Sequence, residues 1–411
     1  MSFAISIELT QGVSIMKIKT IKQGLAVLML VFLFSITSSF LFGDEVTELW
    51  TRLYNKAQTY QQKYDVMVNI IEIQNRDIIP TLINALDELM QVVNVNKKDL
   101  EIVKKLKILV IRKLGELRAK EAEDLVYDVV KNTNDPFVKS EAIMTLGKIG
   151  ARKYAQHIAM LLKNLTFYRG AQNVQGQDSI AYACIYTLER IKDPVGFFPV
   201  FLAANGGYSR YVKDAAKKAL VNIVEDPSDI LDGIIRNESS LKLKIAALEA
   251  EDNSKASNDK KLEVATTALE IGLSLEPANI TEATYLRDLR TGALKMFLKY
   301  KLKSDRAVPY IEKILYRSND ISEKIYAIRA LSAINSKDSV SALVRFLAYN
   351  NDRMEAGISP GDNRLVIETI RAIGATKNPM GSEELLRTKY SNCPAVVARE
   401  AEKALRQIGQ K

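Results

Sequence analysis

The fold is decided by the stretch from Asp135 to Leu165, which reads D-P-F-V-K-S-E-A-I-M-T-L-G-K-I-G-A-R-K-Y-A-Q-H-I-A-M-L-L-K-N-L. Asp135 suits the N-cap of a helix and Pro136 suits its first turn. Apolar side chains follow at helical spacing and form one stripe, which ends before Gly150: Val138, Ala142, Leu146 and Ile149. A second short amphipathic helix carries the next stripe: Ile158, Leu161, Leu162 and Leu165. The stretch therefore predicts an αα-hairpin whose outer apolar surface needs cover from further hairpins.

The same unit returns along the chain. Its mark is a pair of large aliphatic residues one helical turn apart, found at Leu114 with Leu117, Leu146 with Ile149, Leu188 with Ile191, Leu220 with Ile223, Leu331 with Ile334, Ile370 with Ile373, and Leu405 with Ile408. Most pairs follow one another at about 32 to 42 residues, the period of a two-helix repeat. The gap between Leu220 and Leu331 has room for about three weaker units, of which the one from Ser240 to Leu275 fits the pattern least. The sequence therefore predicts an all-α fold, an α-solenoid of about nine to ten helical hairpins over residues 64–411.

The hairpin that begins at Asp135 also carries a known repeat pattern, in these residues: Asp135, Pro136, Val138, Ala142, Leu146, Gly147, Ile149 and Gly150. In them the chain resembles HEAT repeats, particularly the short bacterial HEAT-like repeats first noticed in phycobilin lyases. Lys139 stands where that family usually has Arg, so a helix-spanning Arg contact is not expected there. The resemblance covers roughly residues 61–411 and implies an α-solenoid. It implies no lyase activity, because the matching residues are those that pack.

Residues 1–43 have the pattern of a targeting segment and are kept out of the fold. An uninterrupted apolar run from Leu25 to Ile36 follows a positive region made by Lys17, Lys19 and Lys22. The pattern predicts a signal peptide and export to the periplasm or cell envelope, with Met16 as an alternative start. The apolar run can also be extended to Phe42, about 18 residues, which would give an uncleaved single-span anchor with the solenoid outside the cytoplasm. Residues 44–63 follow as an irregular helix that we expect to cap the first repeat.

The sequence contains few residues of the kinds that usually carry catalysis. His157 is the only histidine, so a histidine metal site or a hydrolytic triad would depend on it alone. We expect His157 to have a surface or packing role and Cys184 to be a small core residue, while Cys393 lies too far along the array to form a disulfide with it. The sequence therefore predicts neither an enzyme nor a cofactor. A lyase-like or glycan-cleaving enzyme is a remote alternative that would need a pocket of clustered carboxylates.

Two connections are longer than a helix pair needs: Thr166 to Gln177 and Asn350 to Asp362. Insertions on one edge are where repeat proteins often place binding residues, and Tyr and Arg are favoured at binding hot spots. Neutral variation in loop length is the simpler alternative. Aromatic and arginine side chains in and near these connections are the candidate partner-binding residues: Phe167, Tyr168, Arg169, Tyr182, Tyr186 and Arg353.

The chain is basic, with a net charge of +9. Two runs concentrate the charge, Lys97 to Lys113 and Arg287 to Arg306, and such faces attract anionic partners. The candidate anion-binding residues are Lys104, Lys105, Lys107, Arg287, Arg290, Lys295 and Lys299. An exported protein seldom meets nucleic acid, so an anionic membrane surface, an acidic glycan or an acidic protein is the expected ligand. The alternative is that these are solvated helix faces.

Together these features predict an exported, non-enzymatic scaffold that binds an unknown protein or peptide in the cell envelope. An envelope protein that holds anionic lipid or glycan through its basic helix faces is the second hypothesis.

Overall fold

A computed structural model describes residues 45–93, 95–170, 173–358, 362–391 and 393–409. These residues form twenty α-helices and no strand. The bounds are α1 (45–56), α2 (Tyr60–Ile70), α3 (Ile79–Met90), α4 (Lys97–Glu116), α5 (Glu123–Asn132), α6 (Pro136–Ile149), α7 (Ala155–Phe167), α8 (Val174–Ile191), α9 (Phe197–Asn205), α10 (Arg210–Ile223), α11 (Ser228–Asn237), α12 (Leu241–Asp252), α13 (Asn258–Ser274), α14 (Ile280–Lys299), α15 (Val308–Arg317), α16 (Ile321–Ile334), α17 (Lys337–Glu355), α18 (Asn363–Thr376), α19 (Ser382–Tyr390) and α20 (Ala395–Gly409). The prediction of an all-α solenoid is confirmed.

The chain divides between Ile223 and Val224 into an N-terminal and a C-terminal compact unit. In the N-terminal unit, α2, α4, α6, α8 and α10 stack side by side as a first-helix row, and α3, α5, α7 and α9 each pack against the first helix of the following hairpin. In the C-terminal unit, α12, α14, α16, α18 and α20 form the first-helix row, and α11, α13, α15, α17 and α19 form a second row. Each apolar stripe is therefore covered by neighbouring hairpins, as the hairpin at Asp135 requires.

The helix signals in that hairpin act as the sequence predicts. The Asp135 carboxylate accepts hydrogen bonds from the backbone N–H groups of Phe137 and Val138, and Pro136 begins α6. Gly150 ends the helix with a φ of 78°, in the left-handed region that favours glycine. Of the predicted stripe, Val138, Ala142 and Leu146 are buried, and Ile149 at the end of the helix is half-buried.

Glycine and threonine set how closely the first helices of the N-terminal unit approach one another. The Thr187 hydroxyl of α8 donates to the carbonyl of Ile143 in α6 at 2.7 Å. A Cβ on Gly147 would lie 2.8 Å from Thr187 Oγ1 and 2.9 Å from Thr187 Cα, so this approach requires glycine. The pair Gly115 and Thr145 repeats the arrangement between α4 and α6, with a Cβ distance of 2.8 Å to the threonine hydroxyl.

The two long connections are shorter in the structure than the sequence predicts. Of the stretch from Thr166 to Gln177, α7 takes Thr166 and Phe167, and α8 begins as early as Val174. In the second stretch α17 continues to Glu355, because Asn351 ties it to α19: its Nδ2 donates to the Glu384 carboxylate at 2.8 Å.

The unit from Ser240 to Leu275 is also more regular than its polar sequence suggests. Its helices α12 and α13 are separated only by residues 253–257. Lys261 is buried, and its ammonium group donates to the Ser254 carbonyl at 2.9 Å near the end of α12. A buried lysine that satisfies helix-end carbonyls thus takes the place of an aliphatic residue here.

The predicted targeting segment, residues 1–43, lies outside the described residues. Within the described ranges, no helix is both long and apolar enough to cross a bilayer. The capping role assigned to residues 44–63 stays a prediction; α1 and the first turn of α2 occupy the described part of this stretch.

Candidate functional site

The N-terminal unit carries a groove of about 930 Å³ that crosses α4, α6, α8 and α10. We call it the aromatic groove. Its apolar and aromatic lining is Ile108, Phe137, Met144, Val174, Tyr182, Tyr211 and Val212. All of these belong to the first-helix row, so successive hairpins contribute to one surface.

Several of the lining side chains are large, apolar and exposed. Phe137 is 51% exposed, Val174 46% and Tyr211 63%. Single exposed apolar residues are ordinary on a protein surface, but a contiguous set lining one groove is typical of a binding site.

The early start of α8 brings Val174 into the groove. Asn173 lies in the left-handed region at a φ of 52°, and its side chain caps the helix by accepting from the N–H of Gly176. A Cβ on Gly176 would lie 2.6 Å from the Asn173 amide, so a larger residue there would displace the capping side chain. The result is an additional turn of α8 beside the exposed ring of Phe137.

Two tyrosines close the α10 end of the groove. The rings of Tyr182 on α8 and Tyr211 on α10 stack with centroids 4.8 Å apart and an angle of 23° between their planes. A hydrogen bond with the Tyr211 hydroxyl and partial burial raise the pKa of Tyr182, so its phenol is a neutral hydrogen-bonding group at ordinary pH.

Arg169 and Asp178 hold the edge of the groove in place. Arg169 Nη2 donates to Asp178 Oδ1 at 2.6 Å, and the guanidinium group lies over the Tyr208 ring, 4.2 Å from its centroid. The Ser209 N–H donates to the other carboxylate oxygen of Asp178 at 3.3 Å. Burial raises the pKa of Asp178, but the bonds from Ser209 and Arg169 outweigh it and lower the pKa below its ordinary value. The pair therefore joins the connection after α7 to the starts of α8 and α10.

The structure brings only one of the candidate partner-binding residues, Tyr182, into the aromatic groove. Phe167 and Tyr168 end α7 in the other row, 59% and 84% exposed, and Arg169 is mostly covered. Tyr186 lies further along α8 under Arg190, and Arg353 lies over the Tyr349 ring in the C-terminal unit.

Many of the candidate anion-binding side chains already have anionic neighbours. Lys104 contacts Glu101 and the N-cap carboxylate of Asp135, at 3.0 and 3.2 Å. Lys299 binds both oxygens of Asp252 at 2.9 Å, and Arg287 lies 3.3 Å from Asp288. These charges are therefore largely compensated within the chain.

The remaining four candidates differ from one another. Arg290 binds Glu323 at 2.6 Å, and that carboxylate is fully buried, so this pair is part of the core. Lys107 is half-buried, which lowers its pKa, and Lys295 lies over the Tyr326 ring. Lys105 is exposed and has no ion-pair partner among the described residues.

Ion pairs between hairpins recur along both rows. In the first-helix rows they join Arg112 to Glu141 at 2.9 Å, Arg329 to Glu368 at 2.6 Å, and Arg371 to Glu400 at 3.2 Å. Each arginine is about half exposed, so each pair contributes only about 0–1 kcal/mol. Their main effect is to neutralise recessed carboxylates.

A buried hydroxyl group in the C-terminal unit links α11 and α12. Ser228 Oγ lies 2.6 Å from Asp226 Oδ1 and 2.9 Å from Glu251 Oε1. Burial raises the pKa of Glu251, whereas the hydrogen bond from Ser228 lowers that of Asp226. Of the two carboxyl groups, Glu251 therefore takes up a proton more readily.

The single histidine and the two cysteines have the surroundings that the sequence predicts. His157 is an exposed residue beside the rings of Tyr127 and Tyr154. Cys184 is fully buried, which raises the pKa of its thiol to about 12, and Cys393 is a half-buried free thiol. Among the described residues, His, Cys, Asp and Glu side chains form no group able to hold a metal ion.

A known family of repeat proteins matches part of the helical array. Residues 103–171 match the family model of HEAT repeats. This match covers α5, α6, α7 and most of α4, and it supports a HEAT-repeat protein. No curated protein matches the chain.

Several solved structures are similar to the chain at low identity. They include an engineered protein with 14% identity and a TM-score of 0.33, covering 89% of this chain and 99% of that one. Human deoxyhypusine hydroxylase in complex with glycerol has 17% identity and a TM-score of 0.26, covering 82% and 98%. SYS-1 has 11% identity and a TM-score of 0.27, covering 81% and 64%.

Proposed function

We propose that this protein is an exported, non-enzymatic repeat scaffold that binds a protein partner in the cell envelope through the aromatic groove. The observation that carries the proposal is the apolar lining shared by four successive first helices, which is exposed on α6, α8 and α10. Aromatic anchors in a groove are the usual centre of protein recognition.

The dimensions of the groove suit a polypeptide segment. Neighbouring packed helices lie about 8–10 Å apart, so the three spacings from α4 to α10 amount to about 25–30 Å. A helix rises 1.5 Å per residue, so a segment of about 18 residues spans that length.

Export is supported by the sequence pattern of residues 17–42. The leader predicts that the mature chain begins near residue 44, and N-terminal sequencing of the protein recovered from the cell envelope tests this. An intact leader would favour the single-span anchor.

A photo-reactive amino acid at position 211 tests the binding function in cells. We expect a discrete adduct of constant mass from position 211, and none from position 390, where Tyr390 is similarly exposed (77%) but lies in the C-terminal unit. Adduct formation at 211 should be lost with Phe137→Asp. Equal adducts at both positions would refute a specific groove.

Binding of anionic lipid or glycan is the second candidate, supported by the exposed ammonium groups of Lys97, Lys98 and Lys105 on α4. It predicts salt-sensitive binding to anionic liposomes that is lost when Lys104, Lys105 and Lys107 become Glu. The pairing of Lys104 with Glu101 and Asp135 makes this candidate the weaker one.

A further inference from the structure

We propose that the aromatic groove is selective for an acidic amphipathic segment, in which apolar anchors are flanked by Asp and Glu. This inference rests on the proposed function and names the chemistry of the partner. It comes from the unequal exposure of positive and negative groups around the groove.

The carboxylates that line the groove are recessed and already bound. The side chain of Glu141 is 12% exposed and contacts Arg112 at 2.9 Å and Lys148 at 3.9 Å. The side chain of Asp178 is 16% exposed and is held by Arg169. A partner in the groove therefore meets little negative charge from its floor.

The positive groups around the groove reach into solvent. The side chain of Arg112 is 49% exposed even though it is paired with Glu141, and that of Arg210, at the start of α10, is 94% exposed. Lys105 and Lys218 are exposed as well. The rim is therefore positive at the α4 end and at the α10 end.

Helical geometry places two of these lysines beside the apolar lining. Lys105 precedes Ile108 by one turn of α4, and Lys218 follows Tyr211 by two turns of α10, so each shares a helix face with a lining residue. Asp214 is the exposed carboxylate on the same face of α10, and it lies 3.6 Å from Arg210. The α10 end stays positive because two cations on this face, Arg210 and Lys218, outnumber the one carboxylate of Asp214.

Beside the two recessed carboxylates, the middle of the groove has uncharged side chains where apolar anchors would enter. Ser140 and Met144 of α6 and Gln175 and Ser179 of α8 line it there. An amphipathic helix with its apolar stripe on α6 and α8 would carry its flanking carboxylates toward α4 and α10. Charge complementarity of this kind sets partner choice and association rate more than total affinity.

Three synthetic peptides of about 18 residues test the inference, since this length spans the groove. They share the same Leu and Phe anchors at helical spacing and differ only in flanking residues, which are Glu, Gln or Lys. Binding to the full chain is measured by fluorescence anisotropy. We expect the Glu peptide to bind at least about ten-fold more tightly than the Lys peptide at low salt, with a smaller ratio at about 0.5 M salt because the Debye length shrinks.

Two pairs of substitutions identify the residues responsible. Lys105→Glu with Lys218→Glu should reverse the preference toward the Lys peptide. Lys255→Glu with Lys303→Glu is the matched control, since both lysines are exposed in the C-terminal unit and the change in net charge is the same. The control should keep the preference of the unaltered chain, and unchanged circular dichroism melts confirm that all variants fold.

Phe137→Ala with Tyr211→Ala separates the two proposals. If the Glu and Lys peptides bind equally and both are lost in this variant, the acidic-partner inference is overturned and the groove remains a binding site. If no peptide binds, or if binding persists in this variant, the proposed groove function fails too. Vesicles of anionic lipid that displace the Glu peptide in a manner dependent on Lys105 and Lys218 would assign these cations to a membrane surface and also overturn the inference.

Discussion

Gly147→Ala tests the packing between hairpins most sharply. The new Cβ would lie 2.8 Å from Thr187 Oγ1, 2.9 Å from Thr187 Cα and 3.2 Å from Thr187 Cβ. Carbon atoms pack best at about 3.5–4.0 Å, so α6 and α8 must separate by roughly half an ångström or more. Backbone cannot rotate away as the end of a flexible side chain can.

Three effects set the change in the free energy of unfolding: two destabilise the unit and one stabilises it. Overpacking a close contact costs about 1–3 kcal/mol. Separating the helices also weakens the hydrogen bond from Thr187 to the Ile143 carbonyl, worth about 1 kcal/mol. Alanine returns up to about 1 kcal/mol of helix propensity. We expect a net loss of about 1–3 kcal/mol in the free energy of unfolding of the N-terminal unit.

Urea unfolding followed by circular dichroism measures this loss, with Gly233→Ala as the control. Gly233 lies within α11, and a Cβ there would meet nothing within 4 Å, so alanine should stabilise the C-terminal unit by about 0.5–1 kcal/mol. The two glycines belong to different units, so the comparison uses the sign of each shift. A Gly147→Ala protein that is as stable as wild type or more so would refute the packing account.

Three further predictions concern buried groups. Burial raises the pKa of Glu251, so the folded chain binds a proton more tightly than the unfolded chain, and the stability of the C-terminal unit should fall as pH rises from about 4.5 through the raised value. Glu251→Gln should lack this slope in urea unfolding at stepped pH. An unchanged slope in the variant would reject the raised pKa. Arg290→Leu should lower the free energy of unfolding by about 3–5 kcal/mol, because it leaves the buried Glu323 carboxylate without its cation. The double variant that also carries Glu323→Leu should recover part of this loss in thermal unfolding. Equal losses in the two variants would argue against the ion pair. In the native protein a thiol reagent should modify Cys393, while Cys184 should react only after unfolding because burial raises the pKa of its thiol to about 12. Fast reaction of both thiols in the native protein would contradict the burial of Cys184.

The sequence predicted the hairpin and its caps well because those signals are local. Asp135, Pro136 and Gly150 act within one helix, and the apolar stripe needs only 3.6-residue spacing to be recognised. The contact between Thr187 and Gly147 could not be predicted in this way, because the two residues lie a whole repeat apart in the sequence.

The partners of the charged residues in the basic runs could not be predicted from local sequence either. Arg290 was expected to be available to anions, but its partner Glu323 comes from the next hairpin, which no count of charges along one helix reveals. Burial of Glu251 and Lys261 was equally hidden in a stretch whose composition is typical of a polar turn.

The aromatic groove was only partly predictable. Phe137 and Met144 lie two turns apart on α6, outside its core stripe. A second apolar stripe of this kind can be recognised from the sequence. Val174 and Tyr211 could be assigned to the groove only once the early start of α8 and the stacking of α8 on α10 were known. Partner binding by the candidate residues in and near the long connections stays a prediction; of these residues, Tyr182 lines the groove.

Hydroxyl-radical footprinting with the Glu peptide tests the central claim most directly, because it reports the exposure of individual side chains. A groove that binds a polypeptide predicts that oxidation of Phe137, Met144 and Tyr211 slows when the peptide is present, while Tyr168 and Tyr390 react as before. Protection of Tyr168 or Tyr390 with no change at Phe137, Met144 and Tyr211 would contradict it.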